Sequence, residues 1–329
     1  MNSKEKMGAD IAKNCILLVV LLAFLTTPFY LIYLPGYSPQ NKWLEIRSSA
    51  GNYSFINSQI YDYKSDIDVL VLGASNMWQG IDTDYLKDYL SSQSNKNQNV
   101  INLSVNWRQE DVLFIILKEL AAHRKIKNLI IDLPINSSRL SPHPISSYWW
   151  IMGENLNYLQ NLNFISFIQL YASNLIGTPR HLLSLLKNPV KESQIESNSK
   201  TGWLITDKYL RHSKKLLTNS PENFNLNRYQ IFFLKQIFDI AKKNDINIII
   251  ISTPIISESN VIINHAGLYN INKFVNNVNV NTINNKNSIT RMNLLDPNIY
   301  FYDQTHLNKS GARLFTESIA SDIFTIQKF

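Results

Sequence analysis

Hydrophobic positions along the chain change their period several times, and each change marks an element. From Cys15 to Tyr33 the run "CILLVVLLAFLTTPFYLIY" carries no charged residue over 19 positions, close to the roughly 20 that a bilayer-spanning helix requires. "DIDVLVLG" (Asp66 to Gly73) is a short continuous apolar run ending at glycine, the signature of a buried strand. Helical period follows from about Asp82, where Asp82 and Asp84 supply negative charge ahead of "YLKDYL". A second strand, "NVINLSV" (Asn99 to Val105), leads into an amphipathic helix through "EDVLFIILKELAAH". A third, "KNLIIDLP" (Lys127 to Pro134), stops at a proline.

The rhythm then breaks over an aromatic-rich insertion from about residue 137 to 225, expected to form a helical subdomain. Tyr148, Trp149, Trp150 and Trp203 either line an acceptor groove, rest at a membrane interface, or fill that subdomain's own core. A helix at "RYQIFFLKQIFDIAKKN" and a strand at "INIIIISTP" (Ile246 to Pro254) resume the alternation. "MNLLDP" is the candidate last strand, and "KSGARLFTESIASDIF" a closing helix. Strands alternating with helices imply a parallel sheet covered on both faces. The expected organisation is a cytoplasmic tail (1–13), a transmembrane anchor (14–34), a juxtamembrane segment (35–65) and one doubly wound α/β domain (66–329).

A retained anchor is favoured over a cleaved signal peptide, because the apolar run exceeds the about 7–15 residues of an h-region and no small-x-small site follows it. Lys4, Lys6 and Lys13 precede the run while Lys42 and Arg47 follow it, a bias that puts the N-terminus in the cytoplasm and the domain outside. The net charge of +7 would favour lipid headgroups or acidic envelope polymers, but it is spread along the chain and reads as a generally basic surface; no nucleic-acid partner is expected. Cys15 is the single cysteine, which excludes an internal disulfide or cysteine metal site. His123, His143, His181, His212 and His265 lack metal-ligand spacing; no metal or cofactor is expected.

In such sheets ligands bind beyond the C-terminal ends of the strands, where Ser75, Ser104, Asn106 and Asn136 fall. Near the other terminus, "YFYDQTHLNKSGARLF" puts Asp303 and His306 three residues apart. A serine becomes nucleophilic when a histidine takes its proton, and a carboxylate on the other ring nitrogen fixes the tautomer. Taken singly, Ser75 is a helix N-cap, Asp303 a turn residue and His306 a loop residue. Together, at the first strand end and the last helix entrance, they form a candidate triad. A Gly-x-Ser-x-Gly elbow is disfavoured because Met77 stands where glycine is needed. An anion-binding turn at Gly73–Asn76 lacks the glycine density of a phosphate loop.

"VLGASN" around Ser75 and "DQTHLNKSGA" around His306 resemble the first and last sequence blocks of the SGNH (GDSL-type) hydrolase superfamily. The resemblance implies a flavodoxin-like three-layer sandwich with Ser75 as nucleophile, His306 as base and Asp303 as its orienting acid. Gly-Ala-Ser in place of Gly-Asp-Ser is closer to the DltD-like and polysaccharide O-acetylation branch, which is membrane-anchored. That branch implies a membrane-bound O-acyltransferase partner and a polysaccharide or polyol-phosphate polymer as acceptor. The middle blocks are absent: "NLSVNW" has no glycine and "IDLPINSS" no Gly-x-Asn-Asp. Position alone assigns the oxyanion hole to Ser75, Ser104 and Asn136, with Asn106 as a substitute. The expected activity is acyl transfer or ester hydrolysis on an envelope polymer; the alternative is a non-catalytic subunit that binds polymer or scaffolds the acyltransferase.

Overall fold

The central strands of this protein bury both faces, and their aliphatic side chains divide alternately between two cores. A computed structural model describes residues 13–21, 43, 46, 51–106, 110–132, 164–165, 168, 199–207, 228–256, 262–263, 280–283 and 297–327. Helix α1 is described over residues 13–21, where Ile16, Leu17, Leu18, Val19, Val20 and Leu21 are all exposed. Among the described residues no helix is long and apolar enough to cross a membrane; the rest of the expected span, residues 22–33, lies outside them.

The elements then run α2 (Tyr53–Tyr61), β1 (Ile67–Leu72), α3 (Ser75–Gly80), α4 (Thr83–Ser94), β2 (Val100–Asn102), α5 (Glu110–His123) and β3 (Ile126–Asp132). After the insertion come α6 (Arg228–Lys243), β4 (Asn247–Ile251), β5 (Ile255–Ile256), β6 (Ile262–Ile263), β7 (Val280–Thr282), α7 (Pro297–Tyr300) and α8 (Lys309–Ile326). Five strands form one parallel sheet in the order β2-β1-β3-β4-β7, and β5 and β6 make a small antiparallel pair. The class is therefore α/β with a parallel sheet.

Leu70 and Leu72 of β1, with Ile248 and Ile250 of β4, face a core completed by α2, α5 and α6. Val69, Val71, Ile249 and Ile251 face the other core, completed by α3, α4 and α8. Each fully buried Ile or Val side chain contributes about 1.5–3 kcal/mol, which is why these runs are aliphatic without interruption. Toward the N-terminal strand ends a ladder of side-chain amides crosses three strands: Asn247 donates to Asn128 (3.0 Å) and Asn281 to Asn247 (3.0 Å).

One expectation is corrected. The fifth strand of the sheet is β7, inside an asparagine-rich stretch from Asn270 to Asn293 for which no strand is expected, because hydrogen bonding to β4 overrides a weak local strand signal. Of "MNLLDP" only Pro297 is described, as the first residue of helix α7, a position proline favours; residues 292–296 lie outside the described residues.

Trp203 belongs neither to a groove nor to a separate subdomain core. It is 3% exposed in the α3–α4–α8 core, and its indole donates to the carbonyl of Gln79 (3.0 Å). Residues 199–207 form a strap along β2 and α3: Asn102 N donates to Thr201 O (2.7 Å), Leu204 N to Trp78 O (3.1 Å), and Trp78 Nε1 to Gly202 O (2.8 Å). Gly202 has φ +90 and lies against Asn102 O, so this crossing requires glycine. Tyr148, Trp149 and Trp150 lie outside the described residues.

Candidate active site

The chain leaves β1 through Gly73 and Ala74 and enters α3 at Ser75. Ala74 occupies the N-cap position and offers no side-chain acceptor, so Ser75 is the first helical residue and not the cap. A Cβ on Gly73 would strike Met77 Cγ and lie 2.7 Å from Asp132 Oδ1. Glycine is thus what lets the turn pass between the helix and the end of β3. The Ser75 and Asn76 backbone N–H groups, at the start of α3, donate to no acceptor among the described residues.

His306 comes from a loop pinched shut at its base. Phe301 and Leu307 form an antiparallel bridge, Tyr302 N donates to His306 O (2.8 Å), and Asn308 N donates to Tyr300 O (3.0 Å). Asn308 then caps α8, accepting from Gly311 N (3.0 Å) and donating to Ile299 O (2.7 Å). Inside the loop, Asp303 Oδ1 accepts the backbone N–H groups of Thr305 (2.8 Å) and His306 (3.0 Å) and the hydroxyl of Thr305 (3.1 Å). The carboxylate is held in place before the imidazole reaches it.

His306 Nδ1 lies 2.7 Å from Asp303 Oδ2 and 2.8 Å from Oδ1, while Nε2 lies 2.6 Å from Ser75 Oγ. A proton on Nδ1 donated to Asp303 leaves the Nε2 lone pair directed at the serine hydroxyl, the tautomer a general base needs. The His306 side chain is 20% exposed and that of Asp303 40%. Burial raises the Asp303 carboxyl, but the hydrogen bond and charge of His306, with the two Thr305 donors, outweigh it and hold Asp303 below its ordinary value of 3.8. It is therefore an anion at neutral pH. Among the described residues no group of His, Cys, Asp or Glu is arranged to hold a metal ion.

The expected oxyanion residues fare differently. Ser75 offers its backbone N–H, which has no acceptor among the described residues. The ladder of β2 continues past Asn102, with Leu103 N donating to Val71 O and Val105 N to Gly73 O. This puts Ser104 on the same face as Asn102, whose amide donates to Met77 O in α3 (3.2 Å). The N–H of Ser104 is already committed to Asn102 Oδ1 (3.0 Å), whereas its hydroxyl is buried with no partner among the described residues. Any donor from Ser104 is its hydroxyl. Asn106 is half-buried at the end of this extension, and Asn136 lies outside the described residues.

Three polar residues that the sequence reading passed over meet behind the turn that carries Ser75. Asn76 Nδ2 donates to Asp132 Oδ2 (3.2 Å) and to Thr253 Oγ1 (2.7 Å), and all three side chains are buried. Their common signal was position, since each stands at or just after the C-terminal end of a sheet strand. The sequence matches no protein-family model and no curated protein.

Proposed function

We propose that this protein is a serine acyltransferase or esterase of the SGNH type, anchored in the cell membrane by its N-terminal helix with the α/β domain outside the cytoplasm. The observation that carries the reading is the continuous hydrogen-bonded line from Ser75 Oγ through His306 to Asp303. The strand order adds support: counted in chain order it is 2-1-3-4-5, that of flavodoxin-like sheets.

In the reaction, His306 Nε2 takes the Ser75 hydroxyl proton as Oγ attacks the acyl carbonyl. Negative charge develops on the carbonyl oxygen, where the Ser75 N–H and the Ser104 hydroxyl are the available donors. Collapse expels the donor alcohol, which takes the proton from His306, and leaves an acyl ester on Ser75. An acceptor hydroxyl, or water, then repeats the steps in reverse. Anchoring favours transfer, because it holds the ester beside a membrane-bound O-acyltransferase and an envelope polysaccharide or polyol-phosphate acceptor at high effective concentration.

A fluorophosphonate probe should label the full-length protein at Ser75, with labelling abolished in Ser75→Ala and slowed by at least about a thousandfold in His306→Ala. A folded wild type that never labels overturns the reading.

A further inference from the structure

We infer that Asn76, through Asp132 and Thr253, is the positioning device that fixes the Ser75 hydroxyl against His306; this rests on the triad reading above. Helix α3 has only six residues and no side-chain cap. So short a helix has no independent stability in water, and its first turn carries the nucleophile, so something outside it must set where Oγ sits.

Asn76 supplies the tie. Both N–H bonds of its amide are used, one toward the last residue of β3 and one toward Thr253 beyond β4. The two anchors are themselves registered, since Asp132 pairs with Ile251 in the β3–β4 ladder. At the far end of α3, glycine leaves room for the Thr253 side chain, since a Cβ on Gly80 would lie 3.0 Å from Thr253 Cγ2. Asp132 Oδ1 lies against Gly73 on the other side of Ser75. The nucleophile is thus bracketed by a carboxylate on the last residue of β3 and a hydroxyl two residues past β4, with the Asn76 amide joining them.

None of the three side chains needs to touch substrate. Their effect runs through geometry, and misplacement of a reacting group by an ångström slows a reaction by up to about a hundredfold. Loss of the tie therefore lowers the rate of Ser75 acylation and leaves substrate affinity alone. A side chain that merely filled space would show neither that split nor dependence on a hydroxyl.

The test compares full-length wild type, Asn76→Ala, Thr253→Val and Thr253→Ser by the fluorophosphonate labelling rate of Ser75, by kcat and KM on an aryl acetate ester, and by Tm. Thr253→Val keeps the shape and removes the hydroxyl; Thr253→Ser restores it. Asn76→Ala and Thr253→Val should label roughly ten- to a hundredfold more slowly, with kcat reduced in step and KM unchanged, and Thr253→Ser should stay near wild type. If Asn76→Ala does not fold, the Thr253 pair decides alone. Wild-type labelling in Thr253→Val, or equal loss in Thr253→Val and Thr253→Ser, overturns the inference while the triad stands. A wild type that is itself unreactive removes the triad and this inference with it.

Discussion

The imidazole Nε2 of His306 lies 2.6 Å from the hydroxyl oxygen of Ser75, although 231 positions separate the two in the chain. The contact exists because the first strand of the α/β domain ends, and its last helix begins, at the same edge of the sheet. Asp303 holds the far side of the ring through both carboxylate oxygens. Replacing it with Asn removes the anion that stabilises the imidazolium and allows the wrong tautomer. Asp303→Asn should therefore lower the aryl-ester kcat by roughly 10³–10⁴-fold while Ser75 and His306 stay in place, as steady-state kinetics and the circular dichroism spectrum would record.

The same carboxylate carries a pH signature. Asp303 sits below its ordinary value of 3.8 in the folded protein, so the unfolded chain binds its proton first as pH falls. The contribution to stability is complete above that ordinary value and is lost as pH drops through the lower folded one. In urea melts, the stability difference between wild type and Asp303→Asn should shrink as pH falls below about 4, through the lower folded value. A difference that grew over that acid range would contradict this assignment.

Gly311 ties the His306 loop to α8. A Cβ there would run into the backbone carbonyl oxygen of Tyr300 and lie 3.0 Å from Leu307 Cδ2. The carbonyl belongs to the chain that closes the loop, so it cannot move aside as a flexible side chain would. Gly311→Ala should cost about 2–3 kcal/mol, measured by denaturant unfolding, and should slow labelling of Ser75 as the loop shifts.

Trp203 anchors the strap over α3. Truncation to alanine removes a buried indole together with its bond to the Gln79 carbonyl, and Trp203→Ala should destabilise the protein by about 3–5 kcal/mol. Trp203→Phe keeps much of the apolar volume and should cost distinctly less. Thermal unfolding of the two variants separates packing from the hydrogen bond.

Exposed Ile16, Leu17, Leu18, Val19, Val20 and Leu21 on α1 begin the 19-position uncharged run. The full chain should remain in the membrane pellet after alkaline carbonate extraction, and deletion of residues 1–34 should release it to the supernatant.

Much of this protein was legible in short stretches of sequence, because strands, helices and caps are set by contacts within a few residues. The apolar runs at β1, β3 and β4 announced a buried parallel sheet, "EDVLFIILKELAAH" is helix α5 to the residue, and the closing helix α8 begins at Lys309, the first residue of the expected "KSGARLFTESIASDIF". Asp303 and His306 were recognisable as a pair since one loop supplies both. The triad's meeting, the place of β7, the burial of Trp203 and the bond from Asn76 to Thr253 across 177 positions were decided only in three dimensions. Such contacts depend on which distant strand ends become neighbours once the sheet closes its ladder, and no local period of hydrophobic and polar residues encodes that distance.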